Sequence, residues 1–545
     1  MLICRRLFRS CYIPYQLHVN FLTLIHLFSK ACLILAGLLC AIALYYRTTN
    51  IWTLKNLGDA FLSRRNPSRP IIFGAFHRIY REQNVPGNYV VFHFLGDVQQ
   101  SYHLYCFSTD QNGKQFVYQA DIQRIHQGKR FVNDICSMAG FIAECRVAYR
   151  FIPFVWVSTK RNVNESLKIP IEKVPERKRH KLAVCIAPTY ALMEWRMLLL
   201  SIEVWLALGA TKIIIPIQSI SRGAFNILRE YERDGKFTNF SGLVILRHWP
   251  KWPVLSDKNP NGLVLSRGIE ESHVNCLFFA KPWAEMVAFT DLDDILIPTR
   301  PMEINSTANI NILQDLANEH PQAGSFLFEH RDVRMVLPED QKMLRLDSFN
   351  FNFLINTDRK KECTVWRMKT RVVVNASRVD TINMHESGIN RFGYVQVRVP
   401  CHRAHFYHLR HSFREQAARQ SLNMNNLVLL LNRNFQKRLR TTLRFIAKYR
   451  MNGSLTETLN DFDKCVIEIN KEHFKLKVSR CMTPHVCYLK LKSEVDCVAS
   501  VGSYEFAHAS GDSILRLIDA RFMDSDENCD APVSKIVEGN HFYAP

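Results

Sequence analysis

Asp291-Leu292-Asp293-Asp294 places three carboxylates within four residues, directly after the apolar run Met286 to Thr290 and before Ile295-Leu296-Ile297-Pro298. Carboxylates at the end of a buried strand need compensation, because an unpaired buried charge is costly. A divalent cation held by oxygen ligands, Mg²⁺ or Mn²⁺, is one compensation. Capping of a following helix through side-chain to N–H bonds is the other.

The preceding elements bear on that choice. Leu182 to Ala187 reads as a buried strand, and Leu192, Trp195, Leu199, Ile202 and Trp205 recur at helical spacing with Gly209 placed to end the helix. Lys212 to Ile217 and Leu243 to Trp249 read as further strands, Arg222 to Asp234 as a helix broken by Gly235, and Val274 to Glu285 as a helix leading into the strand that ends at Asp291. This alternation predicts an α/β fold with a mostly parallel sheet and flanking helices. Ligands on such sheets bind beyond the carboxyl ends of the strands, where the acidic stretch lies, so the context favours the cation. A helix is expected over Ala308 to Asn318, and strands over Ser325 to Phe328 and Thr364 to Asn375.

The chain has 545 residues and is 47% hydrophobic, enough for two or three globular units. Ala31 to Tyr46 is an uninterrupted apolar run, preceded by Arg5, Arg6, Arg9 and Lys30. It is expected to be one signal-anchor helix with a cytoplasmic N-terminus, a cleaved signal peptide being the rival. Residues 47–70 read as a stem. Residues 71–175 read as a small β-rich domain, with strands over Tyr89 to Leu95, Tyr102 to Phe107, Gln115 to Ala120 and Cys145 to Val157; Pro175 to Lys181 reads as a linker. Residues 413–545 start helical and then carry cysteines.

Twelve cysteines follow the anchor, which permits six disulfides without assigning their pairing and agrees with a lumenal address. Five glycosylation sequons, at Asn164, Asn239, Asn305, Asn375 and Asn452, are placed consistently. The formal net charge of +21 does not make a lumenal protein a nucleic-acid binder; it favours anionic donors or membrane surfaces. Its local concentration, Arg433 to Arg450, reads as a solvated helix face.

The segment from about 182 to 412 resembles glycosyltransferase family 92. The likeness is carried by Ala191-Leu192-Met193-Glu194-Trp195 with Leu208-Gly209-Ala210, by Tyr231 with Gly235 and Trp249, and by Cys276-Leu277 ahead of the acidic block. Arg371-Val372-Val373-Val374, His385 and His408-Leu409-Arg410 follow in order. Asp294 stands where the family has Glu, and Leu409 where it has Tyr. The resemblance implies a GT-A-type fold, a single-pass type II Golgi protein, and Mn²⁺-dependent (or Mg²⁺-dependent) transfer of a hexose, galactose in characterised relatives. The donor would be a UDP-sugar, the acceptor a glycan on protein or lipid, and the outcome inverting.

Under that resemblance Asp293 is expected to bind the metal directly. Asp291 would bind through water or hold the donor ribose, and Asp294 would sit behind them or cap a helix. His408 is the expected further metal ligand, with His385 as the alternative. Arg410 could pair with a phosphate or form a structural salt bridge. Pro188 and Thr189 would lie against the donor nucleoside. Inversion needs a general base, for which Glu329 stands ahead of Asp332 and Glu386. Two rivals remain. A phosphohydrolase of the haloacid dehalogenase type fits poorly, because Ile295 occupies the position where Thr or Val is expected and at least three strands precede the motif. An inactive glycan-binding or scaffolding member of the same fold is the other. A homodimer is left open.

Overall fold

The computed structural model describes residues 26–39 and residues 68–538, apart from 79–86, 126–135, 150, 174–177, 234–241, 300–303, 336, 339–343, 361–369, 384, 411–418, 452–455, 478–480, 482–486, 488–494, 510 and 526–528. The chain divides into two units, Met1–Pro67 and Ser68–Pro545. In the first, residues 26–39 are helical and exposed. No helix among the described residues is long and apolar enough to cross a membrane. Of the expected span 31–46, residues 40–46 lie outside the described residues, as does most of the expected stem.

In the second unit, strands β1 (Ile71–Arg78), β2 (Asn88–Asp97), β3 (Tyr105–Thr109), β4 (Gln115–Gln119), β5 (Asp121–Arg124), β6 (Met138–Val147), β7 (Phe154–Ser158) and β8 (Leu167–Pro170) build two sheets. One contains the order β1-β2-β6-β5 and the other β4-β3-β7-β8. Phe92, Phe94, Phe141, Val155 and Val157 share one core between them, and the Cys106–Cys145 disulfide ties β3 to β6. The run from Cys145 to Val157, expected as one strand, is two. Phe151 at φ 61° turns the chain between β6 and β7.

The α/β part follows as β9 (His180–Ile186), α1 (Trp195–Ala207), β10 (Lys212–Ile217), β11 (Ser219–Ser221), α2 (Arg222–Arg233), β12 (Val244–His248), α3 (Ile269–Ala280), β13 (Ala284–Thr290), β14 (Asp294–Pro298), α4 (Ala308–Glu319) and β15 (Ala323–Arg334). Strands β16 (Asp358–Lys360), β17 (Thr370–Asn375), β18 (Val395–Arg398), β19 (Ala404–Arg410) and β20 (Arg419–Ser421) complete it. The central order is β12-β10-β9-β13-β17-β15. The first four strands run parallel. β17 is antiparallel to both its neighbours. β14 leaves this sheet to pair antiparallel with β19, which itself runs parallel to β15.

Ile213, Ile215 and Val184 are buried against α1, whose Leu199, Ile202 and Trp205 belong to the same core. α1 ends at Ala207 with Leu208 as its cap, and Gly209 follows at φ 115°, a left-handed position that favours glycine. Helix α5 (Asn425–Arg440) buries Leu427, Leu431 and Phe435. The basic stretch that begins at Arg433 is therefore not wholly a solvated face. Arg438 reaches the buried Glu203 of α1 at 3.0 Å.

The C-terminal segment contains α6 (Thr456–Leu476), β21 (Cys497–Ala509), β22 (Asp512–Ser525) and β23 (Lys535–Glu538). β21 and β22 form a long hairpin. β22 pairs parallel with β1, Ile71 standing opposite Leu515, and β21 pairs with β11. The hairpin thus extends the N-terminal sheet across to the α/β part.

Four disulfides join described residues: Cys106–Cys145, Cys185–Cys276, Cys465–Cys487 and Cys497–Cys529. Cys185 lies on β9 and Cys276 on α3, so their bridge fixes a helix onto the strand next to β13. Replacing both by Ser is expected to lower unfolding free energy by about 2–5 kcal/mol. Denaturant unfolding of variant and parent checks this, and an unchanged midpoint would refute it.

Candidate active site

Asp291 lies just past β13 and Asp294 opens β14. The turn between them is closed by the Asp294 N–H donating to the Asp291 carbonyl at 3.2 Å. The element after the acidic stretch is a strand, so there is no helix start for Asp294 to cap. Instead Asp294 is fully buried. One of its oxygens meets His330 Nε2 at 2.6 Å, and the other accepts from Arg371 Nε. Arg371 also donates to Asp291. His330 comes from β15 and Arg371 from β17, so the carboxylate ties three strands together.

Asp293 turns the other way and meets His408 Nε2 at 2.8 Å. His408 Nδ1 lies 3.1 Å from Asp332. In register His408 stands opposite Asp294 on β14 and opposite Asp332 on β15. The His330 and His408 rings stack at 4.7 Å. The ligand-capable atoms of Asp291, Asp293 and Asp294 lie within 4.8 Å of one another, as do those of Asp294, His330 and His408.

The electrostatics follow from these contacts. Burial alone would raise the Asp294 pKa, but the Arg371 and His330 charges outweigh it and hold the carboxyl well below the usual range. Burial would lower His408, yet its bonds to Asp293 and Asp332 lift it to about 10. His385 is pushed down to about 4 by burial and by Arg371. His273 on α3 is also lowered to about 4, by burial against the opposing pull of Asp291.

Of the residues expected from the sequence, the structure brings Asp291, Asp293 and His408 together. Asp332 joins them through His408. His385 lies one step removed, its Nδ1 3.0 Å from the Thr370 carbonyl and 3.1 Å from Arg371. Glu386 holds its own turn through Asn383 at 3.2 Å. Glu329 is not brought to the cluster. Alternate residues of a strand face opposite sides, and Glu329 lies with Arg331 at 2.9 Å and His405 at 3.7 Å, while His330 and Asp332 face the carboxylates. Pro188 and Thr189 follow β9 at the same sheet edge as Asp291, the Ala187 N–H donating to the Thr290 carbonyl at 2.8 Å. Arg410 ends β19 opposite Arg334; its side chain lies outside the described residues.

The sequence alone assigns no role to His330 and gives Arg371 only a place in a motif. A signal existed for both. An Arg opening the β-branched run Val372-Val373-Val374, and a His continuing the strand of Phe326 and Phe328, need partners once buried.

Residues 180–450 match the family model described as Glycosyltransferase family 92. Relatives from Caenorhabditis elegans, each named as a glycosyltransferase family 92 protein, include one 32% identical over 171 residues, 31% of this chain. A second is 26% identical over 43% of this chain, and a third 22% identical over 48%. The matched stretches span 31%, 44% and 49% of these relatives' own lengths.

Asp294 and Asp293 should separate in their effects. Asp294→Ala strands a buried guanidinium and is expected to cost about 3–5 kcal/mol of stability. The Asp293 side chain is 34% exposed, so Asp293→Ala should cost no more than about 1 kcal/mol. Equal losses in denaturant unfolding would contradict this assignment.

The histidines give a sign for pH. His273 and His385 have pKa values lowered in the folded protein, so their stabilising contribution is complete above about 6.5. It is lost as pH falls towards 4. His408 stays protonated across that window and contributes nothing to the loss. Thermal unfolding followed from pH 7 to pH 4.5 should show a falling midpoint, with a shallower fall in His273→Phe.

Proposed function

Residues 180–450 belong to glycosyltransferase family 92, and from that premise we propose that this chain transfers a hexose, galactose first among the candidates, from a UDP-sugar to a glycan acceptor. The observation that carries the proposal is the convergence of Asp291, Asp293 and His408 at the carboxyl edge of a parallel sheet. That is where a GT-A-type domain would hold its donor diphosphate.

The donor set fits a divalent cation. Asp294 has both oxygens committed to His330 and Arg371, so the ligand roles fall to Asp291, Asp293 and His408, whose Nε2 would have to give up its proton to Asp293 or solvent for a cation to bind. Two carboxylates with one imidazole suit a first-row ion such as Mn²⁺ better than Mg²⁺. When bound, that ion would offset the negative charge that develops on a departing diphosphate. Arg371 pairs with both Asp291 and Asp294 and orients them. Pro188 and Thr189 are assigned to the donor nucleoside and Arg410 to a phosphate, on the resemblance to the family. Asp332 takes the base role better than Glu329, because it faces the cluster and stays partly exposed to an incoming hydroxyl. Transfer with inversion follows if the acceptor oxygen bonds the anomeric carbon from the face opposite the diphosphate, its proton passing to Asp332 as the carbon–oxygen bond to the diphosphate breaks and UDP leaves.

The disulfides support a lumenal setting. A single-pass type II protein of the Golgi membrane, anchored near residues 31–46, is the corresponding address.

UDP release by the full-length chain in detergent tests the proposal across several UDP-sugars and glycan acceptors. The expected result is release with Mn²⁺, lost in EDTA and lowered about 10²–10³-fold in Asp293→Ala. Asp332→Asn should lose about 10²–10⁴-fold, with Glu329→Gln within a few-fold of the parent. No release with any donor from folded protein would overturn the transferase reading in favour of an inactive glycan-binding member. Loss in Glu329→Gln rather than Asp332→Asn would return the base role to Glu329.

A further inference from the structure

A cavity of about 230 Å³ opens where β1, the end of β12, α3 and the C-terminal hairpin meet. It lies at the carboxyl end of β12, three strand spacings from β13 and so roughly 14 Å along the sheet edge from the acidic stretch. This volume is below the ~300–1,000 Å³ of drug-sized ligand sites, which suits one ring rather than a chain.

Its walls combine aromatic faces with a neutralised polar cluster. Phe73, Trp249 and Trp252 line one part. Phe73 meets Trp249 edge-on at 5.5 Å, and Trp249 meets Trp252 at 5.9 Å. Glu172, Arg247 and Asn275 line another. Arg247 makes a two-pronged pair with Glu172 at 2.8 and 2.9 Å and donates to Asn275 Oδ1 at 3.0 Å. Trp249 Nε1 has no hydrogen-bond partner among the described residues, although Trp249 is only 7% exposed.

The balance of charge decides what can bind. Glu172 and Arg247 cancel each other, so the cavity presents no free cation to a phosphate and no free carboxylate to an amine. His248, also on the wall, is lowered to about 4 by burial and by Arg247, and is neutral at pH 7. A neutral ring with apolar C–H faces and several hydroxyls answers both halves of the lining. Indole and phenyl faces take the ring, while amide, guanidinium and carboxylate take hydroxyls. We propose that this cavity binds one neutral hexopyranose ring of the glycan acceptor, away from the point of transfer. Assigning the ring to the acceptor rests on the transferase reading; the binding itself is measurable without turnover.

Saturation-transfer NMR on the full-length chain in detergent with EDTA tests it, using methyl galactoside, methyl N-acetylglucosaminide, lactose and uridine as probes, with tryptophan fluorescence followed in parallel. Ala520→Leu fills the cavity from the hairpin side, and Trp249→Phe removes the indole N–H while keeping an aromatic face. Transfer to at least one saccharide is expected, with affinity weakened tenfold or more in Ala520→Leu and several-fold in Trp249→Phe. Both variants are compared at matched circular dichroism, and where Ala520→Leu unfolds, Trp249→Phe carries the test. No transfer to any saccharide, transfer unaffected in the folded variants, or transfer to uridine alone overturns the proposal. UDP release in the same preparations separates the two readings. Release without saccharide binding rejects the cavity alone, whereas binding without release upholds the cavity and rejects transfer.

Discussion

The ion pair between Asp294 and Arg371 is the constraint on which the rest of this site depends. Neither group reaches solvent to any extent, 0% for the carboxylate and 4% for the guanidinium. Each is tolerable only because the other is present. Asp294 opens β14, Arg371 lies on β17, and the second oxygen of Asp294 engages His330 on β15. One carboxylate thereby sets the positions of three strands around the acidic turn. Arg371 reaches on to Asp291, so a single guanidinium balances two of the three acidic side chains.

That balance divides the labour among chemically identical groups. Asp294 supplies architecture, because its oxygens are spent. Asp291 and Asp293 keep partial exposure, 30% and 34% of their side chains, and remain available to something outside the protein. His408 sits between Asp293 and Asp332 and couples the turn to β15. Three neighbouring aspartates thus acquire different roles from burial and partners alone.

Much of the scaffold was legible in the sequence because it is local. The run Lys212 to Ile217 is a strand with those bounds, and α1 ends where Gly209 predicts. The alternation of apolar strand and amphipathic helix led to the parallel run β12-β10-β9-β13 with the acidic stretch at its carboxyl edge, but the sheet as a whole is mixed rather than mostly parallel, because β17 pairs antiparallel with both its neighbours. What failed was non-local. Glu329 is expected as a base because it follows a predicted strand, but strand parity turns it away from the acidic turn, and parity is visible only once register is known. Helix capping by Asp294 was read from the strand before it, whereas the strand after it decides the matter. The pairing of β14 with β19 spans more than a hundred residues and leaves no periodic trace, so His330 could not be placed against Asp294. The C-terminal hairpin was equally hidden, since its alternating residues do not reveal which sheet they will join.

That hairpin bears on how the chain is made. Ile71 and Leu515 are neighbours in one sheet, yet residues 72–514 are synthesised between them. During translation β1 pairs with β2 on one side and presents a bare edge on the other. Unpaired edges recruit other strands, and pairings of such long sequence separation form late. Closure of the N-terminal sheet therefore waits until the hairpin has been made. The nascent chain must keep that edge away from other partners until the hairpin has been made and docked, which makes that interval the period of greatest exposure to misassembly.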